Sequence, residues 1–219
     1  MAGAFNTKPM PEITAQQVKE LRERTGAGMM ECKSALKETN GNIPEAEIVL
    51  RKRGISSANK KSSRATRQGL ITHYIHPGGQ LGVLIEVNCE SDFVARTDDF
   101  QDLARDLAMY IAAADPQFIR KEDVSEEALA KEKDIQKARA MNEGKPEKVA
   151  EKIVEGRMAK FYEEVCLLEQ PYVKEATMTV DQIIKSKIAK LGENISVARF
   201  ARFKVGETAA PEATETAAE

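Results

Sequence analysis

The sequence predicts an α+β protein: an N-terminal three-helix module, a linker, then a small antiparallel sheet with packed helices and a projecting antiparallel helical hairpin. Three observations predict it. Between residues 14 and 54, three short apolar-periodic segments are separated by glycine stops. Pro77-Gly78-Gly79-Gln80 divides two stretches of strand character. Two long, highly charged helical segments are joined only by Gly144-Lys145-Pro146.

The first helix starts at Thr14, which with Gln17 has capping-box spacing, while Ile13 and Val18 stand at hydrophobic-staple positions. Val18 and Leu21 mark its apolar face, and Gly26 ends it in a left-handed conformation. The second runs from about Met29 to Thr39, with Met29, Cys32, Ala35 and Leu36 inward, and stops at Asn40-Gly41. Asn42 and Pro44 open the third, Ile48, Val49 and Leu50 lie inside, and Gly54 closes it. These helices make a module of residues 1–54, too small to bury much surface alone. Residues 55–68, with Lys60, Lys61, Arg64 and Arg67 among small polar residues, read as a basic linker, in part helical.

Residues 69–205 form the core. Leu70–His76 and Leu81–Asn88 make a hairpin, with Val83, Ile85 and Val87 on one face. A helix begins at Thr97, its positive end matched by Asp98 and Asp99, and buries Phe100, Leu103, Leu107 and Ile111 before Asp115-Pro116 closes it. Residues 125–166 form the arm, from the Ser125 cap to Glu143 and from Pro146 to Cys166. Its apolar positions are few (Leu129, Ile135, Met141, Val149, Ile153, Phe161, Val165), which suits a projecting element. Thr179 and Gln182 form a second capping box for a helix ending at Leu191-Gly192. Ile195–Val205 is a last strand whose Arg199, Arg202 and Lys204 suggest an edge or face in water. Residues 206–219, rich in Ala, Thr, Glu and Pro, read as a disordered tail.

Composition narrows the function. The 219 residues carry a net charge of −2, and only 5% are aromatic, with no Trp. A dedicated nucleic-acid binder usually shows a basic excess or a basic stripe with stacking aromatics. Cys32, Cys89 and Cys166 lie far apart without CxxC spacing, which fits buried thiols in a reducing compartment rather than disulfides or zinc. Residues 1–12 contain no apolar run, and no stretch reaches bilayer-spanning length, so a soluble cytoplasmic protein is expected. His73 and His76, three apart on a strand, point to opposite faces and cannot share a metal. No HExxH, GxSxG or phosphate-loop pattern occurs, and Gly26-Ala27-Gly28 follows a helix and lacks a third glycine. No enzyme activity, cofactor or metal is implied.

One segment stands out. Cys89-Glu90-Ser91-Asp92-Phe93-Val94-Ala95-Arg96 places a large aromatic in a short polar junction between strand and helix. The ring can tuck back into the core, as large apolar side chains usually do, or it can be presented to a partner from a rigid scaffold.

The chain resembles the elongation factor Ts family. Leu21–Lys33 is similar to the family's N-terminal signature and Glu86–Arg96 to its core signature. Asn142–Pro146, Ala150–Met158, Leu167–Pro171 and Gly192-Glu193-Asn194-Ile195 also match, so the likeness covers residues 12–206. The resemblance implies a ubiquitin-associated-like N-terminal module that docks on the GTPase elongation factor Tu, with Arg22, Thr25, Gly26, Gly28, Met29, Met30 and Lys33 at the contact. It implies that Asp92 and Phe93 reach the partner's magnesium site, that Ser91 (where Thr is commoner), Val94 and Ala95 shape that segment, and that Leu81 and Gly82 lie near the contact surface. The strand–helix core occurs once, so the chain looks like the short form, which works as a homodimer gripping two GTPases. The rival readings are an adaptor using the three-helix module, which has no need of the Asn88–Arg96 segment, and an RNA-binding factor using the basic linker.

Overall fold

A computed structural model of the chain describes residues 13–144 and 146–208. Three helices open it: α1 (Ala15–Thr25), α2 (Met29–Glu38) and α3 (Ile43–Lys61). Thr14 and Gln17 form the expected capping box, and Gly26 ends α1 at φ 68°. Leu21, Cys32, Ala35, Leu36, Ala46 and Leu50 make a small core among these helices.

Two inward assignments and one helix end need correction. Met29 is exposed, because it occupies the first turn of α2 and a helical side chain leans toward the N-terminus, here off the helix end. Ile48 is also exposed, since Ala46 and Leu50 face the partners of α3. Gly54 does not terminate α3. The helix continues through Lys61, and a Cβ at Gly54 would stand 3.2 Å from the Ala189 Cβ, so the glycine serves close helix packing. Ala58, four residues further on, is buried in the second core. Much of the expected linker is therefore helix.

Strands β1 (Gln68–Ile75) and β2 (Leu81–Cys89) form the predicted hairpin, pairing Thr72 with Ile85. The last strand, β5 (Ile195–Lys204), adds to the other side of β2, pairing Phe200 with Ile85, to give an antiparallel sheet of order β1-β2-β5. Following the short helix α4 (Asp92–Ala95), α5 (Asp98–Ala114) packs Phe100, Leu103, Leu107 and Ile111 against Val83, Ile85 and Val87 on one face of this sheet. The other face is open, and Ile71, Ile75, Leu84, Phe203 and Val205 on it are exposed.

Arg202 is not in water as expected. It is 12% exposed on the side facing α5, where its Nη1 lies 3.3 Å from Asp115 and its Nε donates to the Ala112 carbonyl. A guanidinium there satisfies the carbonyl end of α5 and offsets its dipole.

Helices α6 (Glu126–Asn142) and α7 (Glu147–Val165) form the arm. Its seam is built from Ala140, Ala150 and Met158, whereas Ile135, Met141 and Val149 are exposed. Small residues let the helices approach closely, which the count of large apolar positions does not register. At its root, Phe118 N–H donates to the Val165 carbonyl and Leu167 N–H to the Phe118 carbonyl. A second sheet, β3 (Pro171–Tyr172) with β4 (Glu175–Thr179), leads into α8 (Val180–Leu191). The sequence reading has no strand there, because β3 has only two residues and β4 buries only Met178, so no alternation registers. The Thr179–Gln182 capping box and the left-handed Gly192 bound α8 as expected. Residues 1–12 and 209–219, the latter most of the expected tail, lie outside the described residues.

Helix α8 is also tied to α5. Lys187 and Lys190 both donate to the Asp99 carboxylate, each at 2.8 Å. The Lys187 ammonium, then that of Lys190, holds the Asp99 carboxyl below the usual carboxylate range. A depressed folded-state pKa adds stability above the unfolded value of about 3.9, and that stability is lost as pH falls through the folded value. Asp99→Asn is therefore expected to lower the unfolding temperature at pH 7 by an amount corresponding to at most about 1 kcal/mol, since the pair is partly solvated. The gap from wild type should close as thermal melts are taken below about pH 4.

Candidate partner-binding surface

Strand β2 runs through the core to the buried Cys89, and the chain then leaves the sheet at Glu90. Ser91 adopts extended backbone angles, and its Oγ accepts from Val94 N–H at 3.4 Å, capping α4. Each helical residue turns the chain by 100°, so one turn sends its members in opposing directions. Val94 and Ala95 face inward and are buried, while Phe93 is 79% exposed. Asp92 lies outward beside it, 2.9 Å from Arg96. Thr97, the cap of α5, donates from its hydroxyl to the Val94 carbonyl at 2.8 Å. The single turn bearing Phe93 is thus held at both ends by capping residues. Of the two positions left open for this ring, the exposed one is observed.

A further support comes from far along the chain. The Glu193 carboxylate accepts from the backbone N–H groups of Glu90 at 3.1 Å and Ser91 at 2.9 Å, and from the Ser91 hydroxyl at 2.6 Å. The Glu90 carboxylate in turn accepts from Asn194 N–H at 2.6 Å. Asn194 is buried, and its amide donates to the carbonyls of Ser62 and Arg64, just past α3. The sequence reading notes Gly192-Glu193-Asn194-Ile195 only as a matching motif and gives it no role. The available signal is a carboxylate–amide pair directly after a left-handed glycine, which sequence spacing cannot link to residues a hundred positions away.

The predicted N-terminal contact residues lie at the α1–α2 joint. Thr25 shapes it, its Oγ donating to the Leu21 carbonyl at 2.7 Å and accepting from Ala27 N–H at 3.3 Å. Gly26 supplies the left-handed turn and Gly28 the extended cap of α2. Met29 and Met30, 59% and 75% exposed, stand together near exposed Arg22 and Lys33. Exposed methionines make an adaptable apolar surface. A Cβ at Gly26 would lie 3.1 Å from the Lys190 stem, and the Lys190 ammonium reaches Asp99 in the first turn of α5. One side chain therefore bridges the α1–α2 joint to the helix start that follows Phe93.

Leu81 and Gly82 are elsewhere. They begin the strand that Cys89 ends, so about 25 Å of extended chain separates them from α4. Gly82 lies on the open sheet face, where an added Cβ would come within 2.9 Å of the Ile75 Cδ1. The structure thus brings Arg22–Lys33 and Ser91–Ala95 toward one end of the molecule and leaves Leu81 and Gly82 at the other.

Among the described residues, no cluster of His, Cys, Asp or Glu could hold a metal ion. The three cysteines are free and buried, and burial pushes the Cys166 thiol up to about 11 and raises those of Cys32 and Cys89. Thiols so protonated are poor nucleophiles. No helix among the described residues is long and apolar enough to cross a membrane.

The family model described as Elongation factor TS matches residues 7–208. The chain is 75% identical over 198 residues to Elongation factor Ts of Solibacter usitatus, covering 90% of this chain and 93% of that protein. It is 63% identical over 195 residues to Elongation factor Ts of Koribacter versatilis, covering 89% of each. It is 55% identical over 207 residues to the protein of that name from Carboxydothermus hydrogenoformans, covering 94% of this chain and 95% of that one.

An aromatic ring left 79% exposed contributes little to its own fold. Phe93→Ala should accordingly shift the unfolding temperature by no more than about 2 °C, the range of a surface substitution in a chain of this size. A drop of 5 °C or more in a calorimetric melt would place the ring in the core.

Proposed function

The chain belongs to the elongation factor Ts family of translation elongation factors, and from that premise we propose that it is a guanine-nucleotide exchange factor. It binds elongation factor Tu·GDP, dislodges magnesium and promotes GDP release, making and breaking no covalent bond. The observation that carries this reading is the exposed Phe93 on a turn tethered at both ends, with Asp92 beside it. A ring presented on so short a tether loses little freedom on docking, which favours insertion into a partner's pocket. Asp92 provides a negative charge next to the ring, suited to competing for a divalent cation. The Met29–Met30 patch with Arg22 and Lys33 offers a second anchor toward the same end.

The mechanism is thermodynamic coupling. A factor that binds nucleotide-free Tu more tightly than Tu·GDP must weaken GDP binding by the same ratio. Carrying a closed GTPase almost wholly to its open state requires about 5 kcal/mol of differential affinity. Loss of magnesium is a fitting source, because the ion neutralises the phosphates that the GTPase clamps. The basic residues after α3 are a weaker basis for function: Arg64 pairs with Glu90 at 3.6 Å.

The active species in this reading is a homodimer gripping two GTPases. Its support is the open sheet face, where Ile71, Ile75, Leu84 and Phe203 stand in water beside the Arg199–Glu86 pair. Two copies stacking these faces about a twofold axis would bury them as a sandwich.

Two measurements test the proposal. Fluorescent-GDP release from Tu should accelerate on adding the protein, and Phe93→Ala should slow the accelerated rate by about thirtyfold or more, the effect of a buried aromatic anchor of about 2 kcal/mol. Wild-type rates in that variant remove the wedge role. Sedimentation equilibrium should give twice the chain mass for wild type and the single-chain mass for Leu84→Glu; an unchanged mass for the variant places any dimer interface elsewhere.

A further inference from the structure

We infer that Glu193 is the positioning residue of the Phe93 turn: its carboxylate fixes the hydroxyl and backbone of Ser91, and through them the direction in which α4 presents the ring. The inference deepens the exchange-factor reading and rests on it for its kinetic arm.

A four-residue helix cannot sustain itself, because one turn fixes many dihedrals for very few hydrogen bonds. Thr97 ties the end of α4, and a denser set of bonds lies at its start. The Ser91 Oγ has one proton and two lone pairs. That proton goes to Glu193 Oε1 at 2.6 Å, which leaves a lone pair aimed at Val94 N–H, 3.4 Å away. Glu193 Oε2 meanwhile takes the backbone N–H groups of Glu90 and Ser91. All three bonds end on an ionised acceptor, the stronger class of hydrogen bond. Both carboxylate oxygens are committed to two consecutive residues, so the chain at Ser91 can neither swing nor rotate without breaking them.

The clamp is reciprocal. Glu90 accepts from Asn194 N–H at 2.6 Å while Glu193 accepts from the Glu90 and Ser91 backbone, so each segment's side chain holds the other's main chain. Asn194 extends the tie to the carbonyls of Ser62 and Arg64. Because α3 belongs to the N-terminal module at its other end, this joint relates the Met29–Met30 patch to the ring. Val94 and Ala95 anchor the inner side of α4 but leave its outward direction to the cap.

The test pairs kinetics with a readout on the free protein. In full-length Glu193→Gln, the maximal rate of GDP release from Tu at saturating factor should fall about ten- to hundredfold, the cost of misplacing a group by an ångström. The half-saturating concentration should stay within about threefold, since the other contacts remain, a split that general destabilisation would not produce. Glu193→Gln/Phe93→Ala should be no slower than Phe93→Ala alone, because the residue acts through the ring. Amide hydrogen exchange by NMR should show Ser91 and Val94 losing protection in Glu193→Gln while the amides of β2 keep theirs. Should Glu193→Gln fold poorly, Ser91→Ala, which keeps both backbone bonds to Glu193, should reproduce the fall in maximal rate in milder form. A wild-type maximal rate, additive losses in the double variant, or unchanged Ser91 and Val94 protection each overturn the assignment. If the wild-type protein fails to speed GDP release at all, the exchange reading falls, and amide protection alone decides whether Glu193 clamps the turn.

Discussion

Helix α8 ends where three separate parts of the chain meet, and the ties made there set the rest of the arrangement. Lys187 and Lys190 grip Asp99 at the start of α5, Ala189 fits the notch left by Gly54 of α3, and Glu193 and Asn194 hold the segments around Ser91 and Ser62. Several of these contacts are charge-assisted or buried, so they combine strength with direction. Without them the N-terminal helices and the sheet would be two small cores sharing one helix. With them, the α1–α2 joint and the turn bearing Phe93 keep a defined relation.

The molecule places its apolar surface in two ways. Phe100, Leu107, Ile85 and their neighbours are withdrawn from water and stabilise the fold. Phe93, Met29, Met30 and the open face of the sheet remain in water and contribute little to the isolated chain. Surfaces of the second kind are where association is expected. They form two separate sets, one at the α4 end and another on the sheet face, and so can serve the two different contacts proposed above.

Local order was legible in the residues. Thr14 with Gln17 and Thr179 with Gln182 announced their helices, Pro77-Gly78-Gly79-Gln80 the hairpin, and Phe100, Leu103, Leu107 and Ile111 the buried stripe. Each signal works within a turn or two of chain, where capping and side-chain period act. Readings failed where a distant element decided the outcome. Gly54 looked like a stop because its neighbour Ala189 is invisible from the local sequence. Arg202 looked like a surface cation because the end of α5 that it caps lies ninety positions away. The arm's seam went unseen because Ala140 and Ala150 carry only a methyl group, which registers weakly as a core position along the sequence.

The sequence by itself determined the order of the long helices and of the hairpin and last strand, and the α+β class, because caps, turns and alternation are read from neighbours along the chain; the family likeness made Asp92 and Phe93 candidates. It left two fates open for the Phe93 ring, and burial in three dimensions decided between them: Val94 and Ala95 occupy the inward side of a single turn, so the ring points out. Tertiary structure alone brought Glu193 to Ser91, a pairing across 102 positions that no local rule encodes, since hydrogen bonds depend on distance in space and not on separation in sequence.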